Sequence, residues 1–130
     1  MPKVFLSYSA RDAELVAQIA HEFHKSGIQT IDIREMSGVM DVRRTLRQAI
    51  RNADGFILLL SSPAAASSSW VSYELGAAEA LDKPLLVLLS HNHSTTELPS
   101  DFGGQPIVAF DPAKPALVVR EVVERLFAPA

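Results

Sequence analysis

The sequence predicts an α/β fold of the flavodoxin type, a doubly wound five-stranded parallel sheet in the order 2-1-3-4-5 with helices on both faces. Three observations lead there. Short apolar runs alternate with amphipathic stretches along the chain, so each strand is followed by a helix rather than by another strand. The runs GFILLL and LLVLL are apolar at every position or nearly so, as interior strands of a parallel sheet covered on both faces must be. Right-handed crossovers between parallel strands then select the common order 2-1-3-4-5, with a crevice between strands 1 and 3.

The elements follow in order. Lys3 to Ser7 is a short β-branched and aromatic run, the first strand. Ser9 and Asp12 have the spacing of a capping box with Asp in place of Glu. Leu15, Val16, Ile19, Ala20 and Phe23 make one helical stripe, and Gly27 ends it. Ile28 to Ile33 is the second strand, Arg34 to Met40 a loop around Gly38, and Asp41 a cap for the next helix. That helix turns Val42, Leu46, Ala49, Ile50 and Ala53 inward and carries Arg43, Arg44, Arg47 and Arg51 on a basic side, read as solvated. Gly55 to Leu60 is the third strand, Trp70 to Leu81 the third helix and Leu85 to Leu89 the fourth strand. A polar loop covers 91–105, Ile107 to Phe110 is the fifth strand, and Pro115 to Phe127 the closing helix.

Composition narrows the function classes. A chain of 130 residues with 48% hydrophobic residues is one domain, 1–130, with a real core. A formal charge of −3 speaks against a dedicated nucleic-acid binder. With no cysteine there is no disulfide, thiolate nucleophile or cysteine metal site, which fits a reducing compartment. The opening MPKVFLSYSARD is too briefly apolar for a signal peptide, and PLLVLLS is too short to span a bilayer, so a cytoplasmic domain without membrane contact is expected. Neither a G-x-G-x-x-G, a P-loop nor a G-x-S-x-G elbow is present. His91 and His93 alternate in a loop without an acidic or third histidine partner, so no metal is expected. A receiver domain shares the fold but needs an acidic phosphoacceptor where this chain has Leu60-Ser61-Ser62.

The most informative stretch is GFILLLSSPAAASSSWVSYELGAAEAL. A strand feeds a small hydroxyl-rich loop, and the helix beyond it sets Trp70 and Glu74 at i and i+4, an aromatic and an acid on one side. Such a pair suits a flat ligand and a developing positive charge. From spacing alone, a half-exposed glutamate on an ordinary helix and a core-anchoring tryptophan are the plainer readings. Topology brings the loop after strand 1, around Tyr8 to Arg11, toward the same place.

Together these segments resemble a Toll/interleukin-1 receptor (TIR) domain of the kind found in bacterial immunity proteins. Val4-Phe5-Leu6-Ser7-Tyr8-Ser9 with Arg11 and Asp12 is similar to the family's opening strand and turn, and Gly27 to Asp32 to its second strand. Arg34 to Val42 occupies the so-called BB loop, and Leu60-Ser61, Ser68, Trp70, Glu74 and Leu75 follow the pattern of the third strand and helix. Two departures stand out: Ile31 lies where a tryptophan is often seen, and Ser37-Gly38 replaces Pro-Gly.

The resemblance implies an enzyme that cleaves NAD at the nicotinamide–ribose bond, with NAD as substrate and no cofactor. It implies Glu74 as the catalytic residue, and Tyr8, Arg11, Asp32, Arg34, Ser68 and Trp70 as substrate-binding positions. Trp70 and Tyr8 would offer stacking faces, and Arg11 and Arg34 phosphate contacts. One carboxylate suffices because nicotinamide leaves from a cationic pyridinium and needs no acid. The product is ADP-ribose if water captures the ribosyl centre, or a cyclic isomer if an adenine or ribose group does. Partners would be other TIR domains, in a homo-oligomer or filament that uses the BB loop, and the setting antiviral defence. The rival readings are a non-catalytic TIR adaptor module and a nucleoside deoxyribosyltransferase-like enzyme.

Overall fold

The computed structural model describes residues 2–32, 42–62, 69–93 and 106–127; the side chains of Val42, Arg43, Ser69 and Trp70 lie outside that description. Five parallel strands form one sheet: β1 (Lys3–Ser7), β2 (Gln29–Ile31), β3 (Gly55–Leu60), β4 (Leu85–Ser90) and β5 (Ile107–Phe110). Their spatial order is β2-β1-β3-β4-β5, as the alternation of elements predicts. Helices α1 (Ala13–Lys25), α2 (Val42–Asn52), α3 (Ser69–Ala80) and α4 (Pro115–Leu126) connect or close the strands, and a 3₁₀ turn, Ala10–Asp12, leads into α1.

Two apolar layers sandwich the sheet. On one face Phe5, Phe56, Leu58, Leu60, Val87 and Leu89 meet Leu46, Ala49 and Ile50 of α2 and Val71, Leu75 and Ala78 of α3. On the other, Val4, Leu6, Ile57, Leu59, Leu86 and Leu88 meet Val16, Ile19 and Phe23 of α1 and Val118, Val119 and Val122 of α4. The alternation of neighbours along each strand is the period-two geometry of a pleated sheet. Every residue of β3 is buried, which accounts for its unbroken apolar run. Phe5 and Phe56 face each other in register, and their rings stack with centroids 5.3 Å apart.

Two helix ends show how local chemistry fixes the layers. Gly27 adopts φ 81°, so that its own N–H reaches the carbonyl of His24 and the N–H of Ile28 that of Phe23. That pair of bonds is a Schellman cap, with Phe23 and Ile28 both buried beneath it. Ile28 is spent in the cap, so β2 runs only from Gln29 to Ile31 within the described residues, shorter than the 28–33 predicted from the sequence. At the end of α2, the Lys83 ammonium donates to the carbonyls of Arg51 and Ala53 at 2.8 and 2.9 Å. A cation there meets both the orphan carbonyls and the negative end of the helix dipole.

The capping box predicted at the start of α1 is not formed. Ser9 stands before the 3₁₀ turn without a side-chain capping bond, and the Asp12 carboxylate turns to Ser61 instead. That bond crosses from the β1–α1 connection to the end of β3, which the local capping pattern does not anticipate.

Two stability outcomes follow. Gly27→Ala places a Cβ in the left-handed region and should cost about 1–2 kcal/mol, a fall of roughly 5 °C in melting temperature by calorimetry. Lys83→Met keeps the stem and removes the donor, and should lower the urea midpoint by the equivalent of about 1 kcal/mol without changing the slope.

Candidate active site

The carboxyl ends of β1 and β3 flank the crevice where strand order reverses, and three side-chain contacts converge there. The central one joins strand to helix. Ser7, the last residue of β1, has the parity of Phe5 and so faces α3, where its hydroxyl donates to Glu74 Oε1 at 2.7 Å. Ser7 is 0% and Glu74 1% exposed. The half-exposed glutamate of the plainer sequence reading is therefore corrected: Glu74 is a buried acid. Its place explains this. Val71, Glu74, Leu75 and Ala78 are spaced i, i+3, i+4, i+7, the inward stripe of α3, and all are buried. The helix holds a carboxylate where its packing asks for an apolar residue.

Removing a carboxylate from water is costly unless donors replace the lost hydration. The Ser7 hydroxyl is such a donor, at the length expected for a bond of this type. Its origin on a strand paired in register with β3, Ser7 opposite Leu58, makes it a fixed one.

The second contact lies toward β2. Tyr8, one residue past β1, turns to the other face of the sheet, where its ring is buried with the α1 and α4 core. Its phenol donates to the Asp32 carboxylate, just beyond β2. Tyr8 thus offers the crevice its hydroxyl end, while the ring that the sequence reading assigned to stacking lies in the core. The third contact is the one from Asp12. Its buried carboxylate accepts from the Ser61 hydroxyl and, at 3.4 Å, from the Ser61 N–H. At the start of a helix a carboxylate is also favoured by the dipole.

Of the residues named from the sequence, the structure therefore brings Glu74, Tyr8 and Asp32 to one end of the sheet. Arg11 is exposed on the 3₁₀ turn beside them. The backbone of Trp70 lies in the first turn of α3, one turn before Glu74, and its side chain lies outside the described residues. Arg34 and Ser68 also lie outside the described residues, as does the loop 34–41. Ser7, Asp12 and Ser61 were not singled out as site residues, although each belongs to a quoted motif. A hydroxyl at the inward position of a buried strand was the available signal for Ser7.

Ser9 Oγ is also buried here and makes no hydrogen bond among the described residues. A groove of about 520 Å³ lies elsewhere, between β2 and α2 toward the amino ends of the strands, lined by Lys3, His24, Thr30, Gln48 and Asn52 among others. It contains none of the converging residues. Among the described residues no helix is long and apolar enough to cross a membrane.

No curated protein sequence matches the chain. The TIR domains of the RPS4 and RRS1 heterodimer superpose with a TM-score of 0.69 at 16% identity, covering 98% of this chain and 100% of that one. A metazoan TIR-STING receptor from C. gigas gives 0.67 at 19% identity, over 98% of this chain and 40% of that one. A CMP N-glycosidase from Clostridium botulinum, BcmB, gives 0.59 at 16% identity, over 92% and 97%. At such identities these likenesses are of fold. The family model described as TIR domain matches residues 4–117, nearly the whole length, and the chain belongs to the TIR domain family.

Proposed function

We propose that this TIR domain is an N-glycosidase that cleaves NAD between nicotinamide and ribose, with Glu74 as the catalytic carboxylate. The observation that carries the reading is the buried acid itself. A scaffold gains nothing from a carboxylate on the inward stripe of α3, whereas a reaction that develops positive charge on a sugar does.

The chemistry asks little else of the protein. The C1′–N1 bond breaks and its electron pair leaves with the ring nitrogen, so a cationic pyridinium becomes neutral nicotinamide. The ribosyl carbon is left as an oxocarbenium-like centre, which a carboxylate fixed nearby stabilises. Water adds to C1′ and releases a proton, giving ADP-ribose, nicotinamide and H⁺. In this reading Asp32, which Tyr8 holds, accepts from ribose hydroxyls, and the exposed Arg11 meets a phosphate. Trp70, one turn before Glu74, is assigned the nicotinamide ring.

Burial sets a condition on this reaction. At 1% exposure the carboxylate meets a substrate only after the groups that cover it shift. Contact with a second domain, through the loop at 34–42, is proposed to supply that shift and to exclude water around the reacting bond. The setting proposed is immune defence, where a signal would drive assembly.

Two outcomes test the reading. Glu74→Gln is nearly isosteric and should leave the fold intact while NAD turnover, followed by chromatography of nicotinamide release, falls at least a hundredfold; retention of most turnover rejects the assignment. CMP belongs in the same assay as a second N-glycoside, and a protein inert to both substrates when concentrated is an interaction module instead. If assembly opens the site, turnover per domain should rise steeply with protein concentration or when the domain is tethered to an oligomer. A flat profile from a protein that stays monomeric by light scattering rejects that part.

A further inference from the structure

We infer that Ser7 is a positioning residue for Glu74, holding its carboxylate in the one orientation from which it meets the ribosyl centre. This deepens the N-glycosidase reading above and rests on it.

The geometry has three parts. First, the two groups come from different layers, 67 residues apart in sequence, and meet with both side chains out of water. A contact of this kind is made by the fold and not by local sequence. Second, the partners differ in freedom. The serine has a single side-chain torsion on a strand paired with its neighbour through Val4 to Ser7. The glutamate has three torsions between its backbone and its carboxylate, so packing of the helix alone leaves the carboxylate's orientation open. The donor is the rigid member and the acid the one that is held. Third, a hydrogen bond donated to a carboxylate favours its charged form, and only that form stabilises a cationic centre.

A carboxylate loosened by loss of this bond still binds substrate through contacts made by other residues, but samples orientations from which it stabilises the developing charge poorly. The loss then falls on the chemical step rather than on binding, which is the pattern expected when an interaction matters in the transition state alone. A merely structural serine would give a different pattern, a drop in stability with the kinetics of the folded fraction unchanged. Ser90, 2% exposed at the end of β4, provides the matched control because it is also a buried serine at the carboxyl end of a central strand.

The experiment measures kcat and KM for NAD on the assembled protein, with melting temperature in parallel, for the parent, Ser7→Ala, Ser7→Thr, Ser90→Ala and Glu74→Gln. Ser7→Ala should lower kcat by 10- to 100-fold with KM within about twofold of the parent. Ser7→Thr, which keeps the hydroxyl, should recover a large part of kcat even if its extra methyl lowers the melting temperature. Ser90→Ala should retain parental kcat at whatever stability it has. A kcat for Ser7→Ala within twofold of the parent, beside an inactive Glu74→Gln, overturns the role of Ser7 alone. So does a Ser7→Thr variant as slow as Ser7→Ala while still folded. A parent that does not cleave NAD overturns the N-glycosidase reading itself, whereas a Glu74→Gln variant as fast as an active parent overturns the assignment of Glu74 and the role of Ser7 with it.

Discussion

The structure at the carboxyl end of the sheet depends on one constraint, that a carboxylate on the inward face of α3 must be held out of water. Among the described residues, the layer that Glu74 joins is otherwise apolar: Val71, Leu75 and Ala78 on its own helix, and the β3 and β4 side chains beneath. Such a layer would be more stable with a leucine at 74, because burying an ion in place of an apolar group generally costs stability or at best breaks even. The acid persists only where a donor reaches it, and the strand hydroxyl of Ser7 does. The location of this exception, at the switch point of a doubly wound sheet, is where the fold leaves side chains and loops to converge on a ligand. A local violation of packing logic coincides with the place where topology puts binding sites, and that coincidence is the physical content of the functional reading.

The same end of β1 organises the remainder. Ser7 reaches α3 on one face, Tyr8 reaches the end of β2 on the other, and Asp12 reaches the end of β3. The hydrophobic layers account for the sheet and its helices without these bonds, since the layers are built from Val, Leu, Ile and Phe alone on strand after strand. Division of labour follows. Apolar burial along the strands supplies stability, and a handful of polar side chains beyond the strand ends supplies geometry.

The fold was legible because its signals are collective. The strands of GFILLL and LLVLL, the stripe from Leu15 to Phe23 and the stop at Gly27 each span several residues, so no single departure obscures them. Helix and strand ends were read to within a residue or two; β2 starts one residue later than read because the N–H of Ile28 is spent on the Phe23 carbonyl in the helix cap. The site was legible in part. Glu74 was noticed through its spacing from Trp70, but its burial was not, although an acid three residues after Val71, on the stripe that Leu75 and Ala78 continue, is the signal for it. Asp12 was misread for an opposite reason. Its sequence neighbours satisfy a local rule, and a tertiary partner 49 residues away, Ser61, wins the carboxylate. Pairings of this kind are set by how strands stack, information that resides in the topology and not in any window of sequence.

The six residues from Ser7 to Asp12 also act as a ruler. Their hydroxyl, phenol and carboxylate leave one short connection and reach three different elements, α3, the end of β2 and the end of β3. The reach of each depends on the count of residues from the last ladder pair of β1, so an insertion or deletion here would put at least one polar group out of step while leaving both apolar layers whole. Substitution within the layers, by contrast, needs only to preserve size and polarity. A chain built this way can share its architecture with a protein at 16% identity, because the layers ask only for apolar side chains of fitting size. In this segment, length and residue identity are both needed, since each polar group must be present and must leave the chain at the right count.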